Sequence, residues 1–82
     1  MIHVGFNNYV QKDKIISVAN TQKHVPSPIR RVLHHAQDEG NDINLTAGRR
    51  TKSVIFTVSG HVILCALESR TIIQRIRDGV KE

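Results

Sequence analysis

Eighty-two residues with twelve Lys and Arg against seven Asp and Glu carry a formal charge of +5, in a chain of a length suited to a single domain over residues 1–82. Hydrophobic residues at 39% and charged residues at 23% are ordinary for a folded domain and weigh against a disordered chain. A lone cysteine, Cys65, excludes a disulfide scaffold within the chain.

Ile2–Phe6 reads as a short strand, ended by the turn signal Asn7-Asn8, and Tyr9-Val10 begins a second. After the charged break Lys12-Asp13-Lys14, the β-branched run Ile15–Ala19 reads as a strand. Asn20–Pro26 is a polar connection. Ser27 followed by Pro28 is a helix start, with Ser as the cap and Pro at the first helical position. Ile29, Val32, Leu33 and Ala36 then make one apolar stripe, and Gly40 is placed to cap the end. Ile43–Leu45 is a short strand, and Thr46–Thr51 is a loop or hairpin bend around Gly48. Val54, Phe56 and Val58 share one face of the next strand, with Ser53, Ile55 and Thr57 on the other. Ser59-Gly60 fits a two-residue hairpin turn. His61–Ala66 is apolar on both faces, as in a central, doubly covered strand. Ser69 caps a second helix with Ile72, Ile73 and Ile76 on its apolar stripe.

The order β-β-α-β-β-β-α describes an α+β fold, a small antiparallel sheet carrying two helices. A chain this short buries only about 60–65% of its unfolded surface. With one Tyr, two Phe and no Trp, bulk for a closed core is scarce. Part of the apolar surface is therefore expected to be buried between subunits of a homo-oligomer. No run approaches the roughly 20 apolar residues that span a bilayer. The first ten residues lack the basic and apolar regions of a signal peptide. With a single thiol, these features point to a reducing cytoplasm and to no membrane partner.

The sequence offers little to catalysis or to a metal. His34 and His35 are adjacent and point about 100° apart on a helix, so they cannot chelate one ion. No nucleophile elbow, Walker loop or GxGxxG run occurs. Neither an enzyme nor a metal or small-molecule cofactor is expected.

The basic charge is uneven. Residues 43–77 hold Arg49, Arg50, Lys52, Arg70, Arg75 and Arg77 against Glu68 alone, whereas residues 1–42 are nearly balanced. Gly48-Arg49-Arg50-Thr51-Lys52 concentrates three cations on a glycine-hinged loop. Guanidinium groups fork onto phosphate oxygens or the guanine edge, and Thr51 supplies a hydroxyl for phosphate. The same loop read alone is as readily a solvated hairpin tip. Arg30 and Arg31 open the first helix, where the macrodipole disfavours cations and a partner anion would offset the cost. They are also suited to salt bridges between subunits. Scarce aromatics disfavour a base-stacking platform for single strands, so duplex backbone binding leads RNA. The rival from another class is a protein-interaction module whose basic loop docks an acidic partner.

The residues Val4-Gly5-Phe6-Asn7-Asn8-Tyr9-Val10, Ile15-Ile16-Ser17-Val18 and Ser27-Pro28-Ile29-Arg30-Arg31 resemble, in order, the RemA family. Gly48-Arg49-Arg50-Thr51-Lys52-Ser53-Val54 and His61-Val62-Ile63-Leu64 extend the resemblance across roughly residues 2 to 77. That family comprises small bacterial DNA-binding regulators known as activators of extracellular-matrix (biofilm) genes. The resemblance implies promoter binding at the nucleoid, without catalysis or cofactor, by ring-shaped homo-oligomers that repeat a basic surface along double-stranded DNA. The family's paired arginines fall on Arg49 and Arg50, and a further family arginine falls on Lys14. Lysine keeps the charge there but loses the bidentate fork. Arg49 and Arg50 are the leading contacts, Lys14 and Lys52 support them, and Thr51, Arg30 and Arg31 complete the candidates.

Overall fold

Three strands precede the first helix, at the three segments that read as strand, one more than the order β-β-α counts. The computed structural model describes residues 1–78. β1 (Ile2–His3) and β2 (Tyr9–Val10) form an antiparallel hairpin of their own, pairing Ile2 with Val10 and His3 with Tyr9. The expected strand Ile2–Phe6 stops early because Gly5, Phe6 and Asn7 all take positive φ, at 106°, 50° and 63°. No strand accommodates that conformation. The chain turns instead, and the Val4 amide donates to the Asn8 carbonyl at 2.9 Å.

A single 3-10 turn, Lys12–Lys14, leads into β3 (Ile15–Asn20). α1 (Ser27–Asp38) begins on Ser27 itself, with Pro26 as its cap and no capping side-chain hydrogen bond. Pro28 still sits in the first turn, where its missing amide has no helical partner to lose. At the other end the Gly40 and Asn41 amides donate to Gln37 and Ala36 carbonyls at 3.2 and 2.8 Å. This is the glycine-closed helix end the sequence implied.

β4 (Asp42–Leu45), β5 (Ser53–Thr57) and β6 (Val62–Cys65) complete a four-stranded sheet in the order β3-β5-β6-β4. β5 is antiparallel to both neighbours, but β4 runs parallel to β6. The sheet is therefore mixed, which corrects the all-antiparallel expectation. The reason is connectivity: after β4 the chain crosses the end of β6, and β5 takes the seat on the far side. α2 (Ser69–Asp78) follows β6.

Period-two alternation sorts the core. Ile55, Ile63 and Cys65 face one side, where they pack with Ile2 and Val4 of the hairpin segment and Ile72 of α2. Val54, Val62 and Leu64 face the other, against Ala36 and Leu33 of α1. All four β6 residues are buried, as a central strand covered on both faces requires. The β5–β6 connection is one residue longer than expected. Thr57 and His61 pair across Val58-Ser59-Gly60, with the Gly60 amide on the Thr57 carbonyl at 3.1 Å and Gly60 at φ 85°. That is a three-residue hairpin, a tight turn followed by a left-handed glycine.

The apolar stripes are only partly used. On α1, Ala36 is buried while Val32 is 50% exposed, and on α2 Ile72 is fully buried while Ile73 is 41% exposed. Ile16, the extra residue at a register shift in β3, and Val58 also stand exposed.

Burial has a chemical consequence at Cys65. Its thiol is completely covered, and desolvation pushes its pKa up to about 11, only partly offset by a hydrogen bond involving Ser53. The group is neutral and inert at ordinary pH. Because the folded pKa lies above the unfolded value, this contribution to stability is intact below about pH 9 and fades as pH rises through about 11. Urea midpoints measured across that window should fall more steeply for the wild type than for Cys65→Ala. Parallel pH profiles would refute the burial argument.

Candidate nucleic-acid interface

The register defines two ends of the sheet. Asn20, Ser53, Cys65 and Leu45 lie at one, and Ile15, Thr57, Val62 and Asp42 at the other. The basic segment Gly48–Lys52 lies at the first end. Its chain, residues 46–52, is a crossover and not a hairpin bend. It must span two strand spacings, roughly 10 Å, over the end of β6.

Both feet of this crossover are fastened. At the first, Asn44 Oδ1 accepts from the Thr46 amide at 3.0 Å and from Thr46 Oγ1 at 2.6 Å, with Thr46 buried. The Arg49 amide donates back to the Thr46 carbonyl at 2.9 Å, closing a turn through Ala47 and Gly48, both at positive φ. At the second, the Lys52 amide donates to the Cys65 carbonyl at 2.9 Å, and the Thr21 amide donates to the Lys52 carbonyl at 3.1 Å. Thr21 Oγ1 donates to the Thr51 carbonyl at 3.3 Å, and buried Ser53 donates from Oγ to the Leu67 carbonyl at 2.8 Å. Between these feet Arg49 and Arg50 are exposed, while Thr51 and Lys52 are half-buried.

The other predicted residues divide between the two ends. The connection 21–26 leaves the sheet beside Thr51 and Lys52 and delivers the chain to α1, whose first turns carry exposed Arg30 and Arg31. Arg30 Nη2 reaches the Val25 carbonyl at 3.5 Å. α1 then ends at the opposite side, where the Asn41 carbonyl accepts from Val62 at 3.0 Å. Lys14 is not brought to the loop. Its carbonyl accepts from Val58 at 2.9 Å, about 20 Å along β5 from Lys52 at 3.3 Å per residue. Asp13, Asp38, Glu39 and Asp42 lie toward this second end as well. The fold therefore sets Arg49, Arg50 and Lys52 at one end of the sheet and Asp13, Asp38, Glu39 and Asp42 toward the other, where Lys12 and Lys14 offset part of their charge.

Among the described residues the one salt bridge is between Arg70 and Glu68 at 3.3 Å. The loop cations thus have no carboxylate partner there. Arg49 has an aromatic one: its guanidinium carbon lies 5.6 Å from the centroid of the Phe6 ring. Phe6, Asn44 and Thr46 belong to the site without being among the residues the sequence predicts for it. Asn44-Leu45-Thr46 did carry a signal, since Asn readily bonds the backbone two residues on. Phe6 carried none, because the contact joins residues 43 apart.

Residues 1–76 match the model of the RemA-like family, described as extracellular matrix regulatory protein A-like. Similar proteins bear the name "putative regulatory protein". One from Shouchella clausii is 40% identical over all of this chain and 94% of its own length. One from Synechococcus elongatus is 41% identical over 93% of this chain and 84% of its own. One from Pseudothermotoga lettingae is 35% identical over all of this chain and 87% of its own.

Proposed function

Since the chain belongs to the RemA-like family, whose similar members carry regulatory and not enzymatic names, we propose that it regulates transcription by binding double-stranded DNA as a homo-oligomer. The observation that carries this reading is the crossover loop: two exposed arginines without carboxylate partners, held between fixed feet at one end of the sheet. Fixed feet reduce the ordering entropy lost on binding.

A few cations per chain give weak affinity. Repetition around a closed ring multiplies it, because each further contact forms at high effective concentration. The exposed Val32, Ile16, Val58 and Ile73 supply apolar surface for such an assembly. Sequence preference then comes largely from duplex shape, with Arg49 and Arg50 the side chains best formed to read a groove. No helix among the described residues is long and apolar enough to cross a membrane, and work at the nucleoid in the cytoplasm fits the reading. The family description names the extracellular matrix, so promoters of matrix genes are the first to test.

Titration of a labelled duplex across a salt series tests the proposal. Log affinity should fall linearly with log salt, by about 0.9 per neutralised phosphate. RNA competitor should displace the duplex poorly. Absence of duplex binding even at low salt would overturn the proposal in favour of an acidic protein partner.

A further inference from the structure

Phe6 is a residue whose position the core does not explain. It is 47% exposed, yet it holds φ at 50°, a left-handed conformation that is unfavourable for a bulky side chain. Its turn is nevertheless firmly built. The Asn8 amide donates to the Gly5 carbonyl at 2.9 Å, and Asn8 Nδ2 donates to the Gly5 and Phe6 carbonyls at 3.2 Å each. Gly5, buried at φ 106°, is seated where any Cβ would stand 3.5 Å from Leu67. Leu67 in turn accepts from Ser53, at the second foot of the basic loop. Hairpin turn and crossover are thus tied to the same point of the sheet.

We infer that Phe6 is a positioning residue for Arg49, an inference that rests on the duplex-binding reading above. The ring centroid lies 5.6 Å from the guanidinium carbon, within the range of cation–π attraction. A carboxylate in that place would orient the arginine but also neutralise it and occupy its donors. An aromatic ring leaves the charge intact and the N–H donors available to a phosphate or a guanine edge. The strained Phe6 turn is the structural cost of a pre-oriented, uncommitted arginine.

The test is a double-mutant cycle on duplex affinity, using Phe6→Leu and Phe6→Tyr in wild-type and Arg49→Ala backgrounds. Phe6→Leu keeps apolar bulk and removes the ring; Phe6→Tyr keeps the ring. Phe6→Leu should weaken binding about two- to fivefold, the fold-change equivalent to about 0.5–1 kcal/mol for an exposed cation–π pair. Phe6→Tyr should restore it, and Phe6→Leu should add nothing once Arg49 is alanine. Equal losses in both backgrounds, or no loss at all, would overturn the inference. In the free protein, the ring-current shift on Arg49 side-chain protons should vanish in Phe6→Leu. If the wild type bound no duplex while that shift behaved as expected, the DNA reading would fall and the positioning role would stand. Absence of the shift in the wild type would overturn the positioning role itself.

Discussion

Arg49→Ala/Arg50→Ala is expected to weaken duplex binding at least about tenfold and to lower the salt slope by about two for every engaged copy. The magnitude follows from the loop's construction. An arginine making a bidentate contact contributes about 1–3 kcal/mol, and here two adjacent ones project from a segment fastened at both feet. Because the fastening runs through Thr46, Lys52 and Ser53 and not through the arginine side chains, the double variant should keep its assembly state and lose only the few degrees of thermal midpoint that the Phe6–Arg49 contact supplies. That combination, binding lost with the fold retained, is the signature of a contact surface. Lys14→Ala serves as the internal comparison. It lies about 20 Å along the strand from Lys52, so an isolated chain would lose little on its removal. A loss of about one in salt slope would show that neighbouring copies bring Lys14 beside another copy's loop on the same duplex. Unchanged affinity and slope in the arginine double variant would move recognition to Arg30, Arg31 and the start of α1.

How much of this site the sequence disclosed depends on the range of the interactions. Gly48-Arg49-Arg50-Thr51-Lys52 is a contiguous motif, so its composition alone marked it. Its shape was not legible. A loop between two strands reads as a hairpin when those strands pair, and nothing local says that β6, still to come in the chain, will insert between β4 and β5. The same long-range fact made β4 parallel. β6 itself was legible because burial on both faces leaves an unbroken apolar run, and α1 because its stripe is periodic. Ile73 and Val32 looked like core residues because periodicity reports a face and not what covers it. The charge split also changed meaning. Dividing the chain into halves separated Arg30 and Arg31 from Arg49 and Arg50, whereas the topology starts α1 from the loop's end of the sheet. Gly5 and Phe6 read as strand in the sequence, because alternation around a glycine does not reveal three successive positive φ values.

Ile55→Ala should be the most destabilising single truncation of the sheet, at about 2–5 kcal/mol. Ile55 is completely buried at the middle of β5, paired with Val18 of β3 and Ile63 of β6, and packed beneath the hairpin and α2. Neighbours on both strands and in the layer above prevent collapse into the space left behind. Chains of this size have only about 4–12 kcal/mol of total stability, so the midpoint should fall by about 8 °C or more at about 4–8 °C per kcal/mol. Val32→Ala removes comparable apolar matter from a half-exposed site on α1 and gives the contrast. In a dissociated chain it should cost within about 0.5 kcal/mol. If Val32 lies between copies, its cost instead grows with protein concentration, because assembly stabilises only the folded chain. Melting both variants at dilute and concentrated protein therefore separates the two uses of apolar surface. A concentration-independent loss for Ile55→Ala beside a concentration-dependent one for Val32→Ala would assign the first to the core and the second to an interface. Two small and equal losses would contradict the packing described for β5.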